Sequence, residues 1–242
     1  LTHFKTLIAL PILKTCYSHR PDIGTYEYVG THWELQKERK ESAIELPLHE
    51  FMDRMGWNKR ETNHFNSVRS ELLARLKNTQ WDQQPLMSFK NGTLNVKTNR
   101  FTPEHQRYDY LTHSFDFNYD PKSTCPTWLN FLDETFENDQ QVIQILRAAF
   151  KWTVLPKDSS QPFKLECFFD LYGEKGCGKG TIQEVLTAVC GGNEARGLLR
   201  SSNIHSPEAR ASLLGKKLAI DPDASGLMTD AGIFNSIVSN EP

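Results

Sequence analysis

The residues best suited to chemistry lie in a glycine-rich segment that reads G-E-K-G-C-G-K-G-T from Gly173 to Thr181. Glycine permits backbone conformations that turn main-chain amides toward a bound anion, so this segment is typical of a phosphate-binding loop. Lys179 is in register to reach the β- and γ-phosphates of a nucleotide, and the following helix directs its positive end at them. We therefore predict that ATP binds through Gly173, Gly176, Cys177, Gly178, Lys179, Gly180 and Thr181.

The residue that usually ligates magnesium in such a loop is missing. A serine or threonine normally follows the lysine directly, whereas here Gly180 has that place and the hydroxyl comes at Thr181. Either Thr181 reaches Mg²⁺ with a shifted geometry, or the ion is held through water and by acids elsewhere. The sequence thus supports phosphate binding more strongly than metal ligation.

A second acidic motif follows the loop. Lys216 to Ile220 is predicted to form a short buried strand, and Asp221-Pro222-Asp223 comes directly after it. An apolar strand that ends in acids is typical of a Walker B element, which holds Mg²⁺ and polarises the attacking water. Asp221 and Asp223 join Lys179 as candidate catalytic residues. We favour Asp223, with Thr181, as the metal ligand because Pro222 would end the strand and leave Asp223 at its tip. A surface Asp-Pro-Asp turn is the alternative.

Three predicted elements would position these residues. The apolar run Leu165 to Tyr172 is predicted to be the strand that leads into the loop. The helix after the loop carries apolar residues at Ile182, Val185, Leu186 and Val189 and is predicted to end at Cys190, before two glycines. Ser206-Pro207-Glu208 predicts the start of another helix, which runs to Leu214 and stops at Gly215.

Upstream of the loop the pattern is mainly helical. A short strand is predicted at Tyr26 to Val29, and Asn91-Gly92 between two apolar runs predicts a hairpin. Helical spacing of apolar residues predicts one helix with Phe51, Met52 and Met55, a second with Phe65, Val68, Leu72, Leu73 and Leu76, and two more between Trp128 and Phe150. Trp33, Trp57, Trp81 and Trp128 could stack on bases, but we expect each to pack in a core or an interface.

The order of these motifs resembles the phage- and plasmid-type primase-helicases, whose motor is a superfamily 3 helicase. The matching pieces are Phe89 to Val96, Tyr119 to Pro121, Cys125 to Leu129, Phe131-Leu132, the P-loop, Leu213 to Ile220, Asp223 and Phe234 to Pro242. Tyr26 to Trp33 is similar to the start of the accessory domain that precedes such motors. The resemblance implies an AAA+-like core, hydrolysis of ATP with Mg²⁺, a homo-hexameric ring, and single-stranded DNA that passes through its pore.

The resemblance also implies a mixed α/β chain in three parts. A mainly helical accessory or collar domain is expected at residues 1–84, a β-hairpin and helical linker at 85–160, and an incomplete P-loop core at 161–242. The sensor asparagine, arginine finger and pore hairpin of the family would lie beyond Pro242, so we interpret the chain as truncated after Walker B and inactive by itself. The expected function is an ATP-dependent replicative DNA helicase of a phage, plasmid or mobile element.

Two other functions fit part of the pattern. The G-x-x-G-x-G-K-G-T string is also similar to the loop of adenylate-type nucleotide kinases, but in those enzymes the loop lies near the chain's N-terminus. The third possibility is a hydrolysis-deficient ATP-binding loader or scaffold, which Gly180 in the metal-ligand position keeps open. Measuring ATP hydrolysis with and without single-stranded DNA separates the three.

Composition sets broader limits. The chain of 242 residues can hold two modest domains. Its longest apolar stretch, Leu7 to Leu13, is interrupted by Pro11 and is too short to span a membrane, so no membrane partner is expected. Five scattered cysteines form no Cys-x-x-Cys pair, which favours a reducing compartment. Eight histidines show no ligand spacing, so we expect surface or packed side chains and not metal ligands. We expect the cytoplasm, that of the host if the protein is viral. A net charge of −2 gives no general basic surface, but ring motors concentrate basic groups in the pore.

Overall fold

A computed structural model of the chain describes residues 2–36, 44–57, 62–156, 167–222 and 231–239, with side chains from residue 9 onward. The chain divides into two compact units, Leu1–Ser114 and Phe115–Pro242. The domain boundaries predicted after residues 84 and 160 differ from this division and stay predictions. Within the described ranges no helix has both the length and the apolar character needed to cross a bilayer.

The first unit has a core of three helices, α1 (Thr2–Cys16), α2 (Glu45–Arg54) and α3 (Thr62–Leu76). The five apolar residues that predicted α3 are all buried. Leu48, Phe51 and Met52 are buried on the inner face of α2. Met55 lies just past the end of α2 and is 44% exposed. Both predicted helices are therefore confirmed, and the apolar spacing identified their inner faces because a helix buries one stripe of residues.

A three-stranded antiparallel sheet packs beside these helices. Its strands are β1 (Tyr17–Arg20), β2 (Gly24–Tyr28) and β3 (Trp33–Leu35), in that order. The predicted strand at Tyr26 to Val29 is confirmed within β2, which ends one residue earlier. Tyr26, Trp33 and Trp81 are buried together, with the two indole centroids 5.9 Å apart and edge to face. The core role expected for these two tryptophans is confirmed.

A second sheet contains β4 (Leu86–Phe89), β5 (Gly92–Asn95), β6 (Arg100–Thr102) and β7 (Ser114–Phe115), in the order β6-β5-β4-β7. The predicted hairpin is confirmed, but its turn is Lys90-Asn91, and Gly92 already pairs with Phe89. A Cβ atom on Gly92 would lie 2.3 Å from the carbonyl oxygen of Thr102. The glycine is therefore needed for the close approach of the third strand, and the turn falls one residue before it.

The second unit begins with two helices, α4 (Pro126–Thr135) and α5 (Gln140–Val154), which confirm the pair predicted between Trp128 and Phe150. Asp139 caps α5 by accepting hydrogen bonds from the amides of Gln141 and Val142. The helix after the glycine-rich loop, α6 (Lys179–Val189), is confirmed with the predicted end at Cys190. Burial raises the pKa of the Cys190 thiol, which keeps it protonated within the core at neutral pH.

The remainder of the second unit holds two short parallel strands, β8 (Arg196–Leu198) and β9 (Leu218–Ile220), the helix α7 (Pro207–Ala211) and the helix α8 (Ala231–Ser239). Strand β9 confirms a strand before the aspartates, but it begins two residues later than predicted and only Ile220 of its three residues is buried. Ser206 caps α7 by accepting a hydrogen bond from the amide of Ala209, as its position predicted. The helix ends at Ala211, earlier than predicted, and a series of turns leads to Gly215, whose φ is +74°.

The strand predicted to lead into the loop is wrong over the residues described. Residues 167–172 have no regular secondary structure, and Leu165 lies outside the described ranges. Phe168 and Tyr172 are 58% and 98% exposed, although a strand in the centre of a sheet would bury them. A strand needs neighbours that pair with its backbone, and the β8–β9 sheet has only these two strands within the described ranges. The AAA+-like core that the resemblance implied therefore stays a prediction.

Candidate functional site

The glycine-rich loop is anchored on both sides by one apolar cluster. Leu132, Ile143, Leu146 and Ile182 form its buried centre, so helices α4, α5 and α6 pack together. Leu171, two residues before the loop, packs against the same cluster. The chain therefore enters and leaves the loop from fixed points, which hold the glycine-rich segment in place although residues 167–172 form no strand.

Gly178 joins the loop to helix α6 in a conformation that favours glycine. It is the N-cap residue, with φ +91° and ψ −2°, and no side chain caps the helix. A Cβ atom at this position would lie 3.0 Å from Phe131 Cζ and 3.3 Å from Thr135 Cγ2, both on α4. The backbone thus needs glycine here for two reasons, its dihedral angle and its neighbours. The first amides of α6 lack a side-chain partner and carry the positive end of the helix, as an anion site requires.

Lys179 folds back into the loop. Its Nζ donates hydrogen bonds to the carbonyl oxygens of Gly173 at 2.6 Å and Glu174 at 2.7 Å. A third contact joins Nζ to Cys177 Sγ at 3.4 Å. Because an ammonium has three N–H donors, all of them are directed at atoms of the loop. To bind a phosphate, Lys179 would have to exchange at least one of these hydrogen bonds for one to a phosphate oxygen. Its ammonium already lies within the loop that would surround the phosphate.

The other loop residues line this arrangement at the surface. Gly173 and Gly176 have φ of +157° and +88°. A Cβ on Gly173 would lie 2.7 Å from Cys177 Sγ, whereas Gly176 and Gly180 have open space around that position. Gly180 and Thr181 are exposed in the first turn of α6. The structure thus places Gly173 and Cys177 beside the Lys179 ammonium, and Gly180 and Thr181 in the first turn of α6. Binding of ATP by the seven residues stays a prediction.

Of the two predicted metal ligands, Thr181 and Asp223, the structure describes only Thr181. Asp221 follows β9, and its Oδ2 accepts a hydrogen bond of 2.7 Å from the amide of Ser201. This carboxylate therefore holds the chain after β8, a role that the sequence could not indicate because Ser201 is 20 residues away. Asp223 lies outside the described ranges, so its role stays a prediction. No group of three or more His, Cys, Asp or Glu side chains in the described ranges could hold a metal ion. Ligation of Mg²⁺ by Thr181 and Asp223 stays a prediction.

The contacts that support the loop were missed by the sequence analysis. Phe131 and Thr135 were assigned to a helical linker, yet they lie against Gly178. Their apolar spacing identified a helix but contains no signal for which residue that helix would meet. For Leu171, the position close to the loop in the sequence was the one signal that indicated a role in anchoring the loop.

Comparison with known proteins concerns the region before the loop. A protein-family model described as D5 N terminal like matches residues 12–137, slightly more than half of the chain. This is the N-terminal domain of D5-like primase-helicase proteins of phages and plasmids, a family of replication proteins. The match includes Phe89 to Val96 and Cys125 to Leu129, which lie in the predicted linker before the motor, and it ends before the glycine-rich loop. No curated protein matches the chain. The chain belongs to the D5 N-terminal-like family.

Proposed function

We propose that this chain combines a D5-type N-terminal domain with the nucleotide-binding loop of an ATP-dependent replicative DNA helicase. The observation that carries the proposal is the Lys179 ammonium, held among the carbonyls of Gly173 and Glu174 at the uncapped N-terminus of α6. The family membership supports a role in DNA replication, because helicase motors follow such domains in primase-helicases.

In this proposal the loop binds the phosphates of ATP. Lys179 moves one or more of its donors from the loop carbonyls to the β- and γ-phosphate oxygens, and the first amides of α6 donate to the same oxygens. The exchange keeps the ammonium paired throughout, so it costs little desolvation. Hydrolysis would drive a homo-hexameric ring along single-stranded DNA in its pore. Mg²⁺ is assigned to Thr181 and Asp223 from the sequence alone.

The test compares two lysines of the same loop in the protein expressed from the complete reading frame. Lys179→Ala is expected to weaken binding of a fluorescent ATP analogue about 10- to 150-fold, the equivalent of one lost charge-assisted hydrogen bond of roughly 1.5–3 kcal/mol. It should also abolish hydrolysis stimulated by single-stranded DNA. Lys175→Ala is the matched control, since Lys175 is exposed and has no polar contact among the described residues. Equal activity of the two variants would contradict the assignment of the loop.

Three further variants test the metal assignment. Asp223→Asn is expected to reduce hydrolysis by orders of magnitude while nucleotide binding survives, with a smaller loss for Thr181→Ala, because Gly180 leaves the usual hydroxyl position empty. Damage from Asp221→Asn instead would move the Walker B acid two residues earlier. That variant needs a thermal unfolding curve beside the activity, since Asp221 also accepts the Ser201 amide.

A hydrolysis-deficient loader is the second candidate function. It is favoured by the open space at Gly180, where a hydroxyl side chain would fit but is not present, and by the engagement of Asp221 with Ser201. Nucleotide binding that depends on Lys179 without hydrolysis in the complete protein would support the loader. Phosphoryl transfer to a nucleoside monophosphate would instead identify a nucleotide kinase.

A further inference from the structure

Tyr172, the residue directly before the glycine-rich loop, has its side chain in solvent. It is 98% exposed and makes no hydrogen bond or ring contact within the described part of the chain. An aromatic side chain supports a fold by burying its ring, and this ring is not buried. The fold of the described residues therefore gives no reason for an aromatic residue at this position.

The backbone on both sides of Tyr172 is held in place. Leu171 packs against the apolar cluster of α4, α5 and α6. The carbonyl oxygen of Gly173 accepts a hydrogen bond of 2.6 Å from Lys179 Nζ. Further upstream, Phe168 packs edge to face on Phe234 of α8, with centroids 4.9 Å apart. A ring on a backbone that is already fixed loses little conformational freedom when it binds a ligand.

The exposed ring adjoins the place where phosphates would bind. A phosphate oxygen that accepts a hydrogen bond from Lys179 Nζ lies about 2.7–2.9 Å from it. Since Nζ is 2.6 Å from the Gly173 carbonyl oxygen, that phosphate would lie beside Gly173, the next residue after Tyr172. Residues 173–181 include no aromatic side chain, so the loop itself has no ring on which a base could stack. The ribose keeps the base of a nucleotide away from its phosphates, and Tyr172 supplies a ring at the edge of the loop.

We propose that the ring of Tyr172 stacks on the base of the nucleotide whose phosphates the loop binds. This inference rests on the proposed function, because it needs the phosphates at Lys179. Stacking uses the face of a base, which all bases have, and does not read the groups on its edge. A purine offers a larger face than a pyrimidine. The site therefore takes purine nucleoside triphosphates as a class, GTP as well as ATP, and binds UTP and CTP more weakly.

The test compares ligands with and without a base, by calorimetric titration of the protein expressed from the complete reading frame. ATP and GTP carry a purine, whereas inorganic tripolyphosphate carries the phosphates alone. Tyr172→Ala should weaken binding of ATP and of GTP about 5- to 150-fold, the range found when a stacking ring is removed, and leave tripolyphosphate binding unchanged. Tyr172→Phe keeps the ring and should bind all three ligands as the parent does. Tyr108→Ala is the matched control, since Tyr108 is a 64% exposed tyrosine of the first unit.

A second measurement reports on the ring itself. Tyr172→Trp should show a change in tryptophan emission on adding ATP or GTP that the parent lacks, and no such change with tripolyphosphate. Because the side chain at this position lies in solvent, thermal unfolding curves of all Tyr172 variants should match the parent. A loss of affinity then reports a lost contact with the ligand and not a lost fold.

The outcomes separate this inference from the assignment of the loop. If the parent binds tripolyphosphate and Lys179→Ala loses it, the loop assignment stands. Unchanged ATP affinity in Tyr172→Ala, an equal loss for ATP and tripolyphosphate, or a loss for ATP but not for GTP would each then overturn the stacking role alone. A parent protein that binds neither ATP nor tripolyphosphate would overturn the loop assignment, and the stacking role with it.

Discussion

The backbone at Gly178 offers the sharpest test of the loop. In Gly178→Ala the alanine must adopt φ near +91°, and its Cβ would lie 3.0 Å from Phe131 Cζ. A residue held in such a sparsely populated region costs about 1–3 kcal/mol, and the contact with the ring adds to this cost. In Gly180→Ala the side chain enters open space on the helix, where alanine is favoured over glycine by up to about 1 kcal/mol. The two variants are therefore expected to have opposite effects.

Hydrogen exchange followed by mass spectrometry measures the consequence in α6 itself. Because local opening determines amide exchange, a loss of about 1–3 kcal/mol should speed exchange of the Ile182 to Val189 amides about 5- to 150-fold in Gly178→Ala. Gly180→Ala should leave that exchange unchanged or slower. Gly176→Ala separates the two causes, since Gly176 has φ +88° but no neighbouring atom within 4 Å. It should strain the loop without disturbing the α4–α6 contact.

Equal exchange in α6 for Gly178→Ala and Gly180→Ala would refute the reasoning. That result would mean that residue 178 can adopt an ordinary helical entry, so that neither the positive φ nor the contact with Phe131 positions the loop. A large effect of Gly176→Ala on α6, equal to that of Gly178→Ala, would assign the whole effect to backbone strain and none to packing.

Two further predictions concern the first unit. Both Gly92→Ala and Gly56→Ala place an alanine at positive φ, but the Cβ of residue 92 would lie 2.3 Å from the Thr102 oxygen, whereas that of residue 56 has no atom within 4 Å. Gly92→Ala should therefore destabilise the unit by about 1–3 kcal/mol more than Gly56→Ala; urea unfolding compares them, and equal losses would contradict the close approach. Burial, with Glu27 beside it, raises the pKa of Tyr17 from 10.0 to about 12. Between these pH values the unfolded chain loses a proton that the folded chain keeps, so the free energy of unfolding should fall as the pH rises. Tyr17→Phe should show a smaller fall over the same range, and an unchanged fall would place the shifted group elsewhere.

The sequence by itself determined the elements whose signals are local. Helix α3 followed from five apolar residues at helical spacing, and α6 followed from its apolar stripe and the glycines after it. Ser206 was identified as a cap because its hydroxyl bonds an amide only three residues away. Such features depend on neighbours along the chain, so residue types and spacing are enough to predict them. The loop itself was found for the same reason, since its glycines and lysine are contiguous.

Tertiary structure alone decided which distant residues meet. Gly178 lies against Phe131, and Asp221 holds the Ser201 amide. No spacing rule predicts these pairs, because each depends on how helices and strands from different parts of the chain pack. The lack of a strand over residues 167–172 has the same origin. An apolar run becomes a strand only where other strands supply hydrogen-bond partners, and its own residues do not encode those partners.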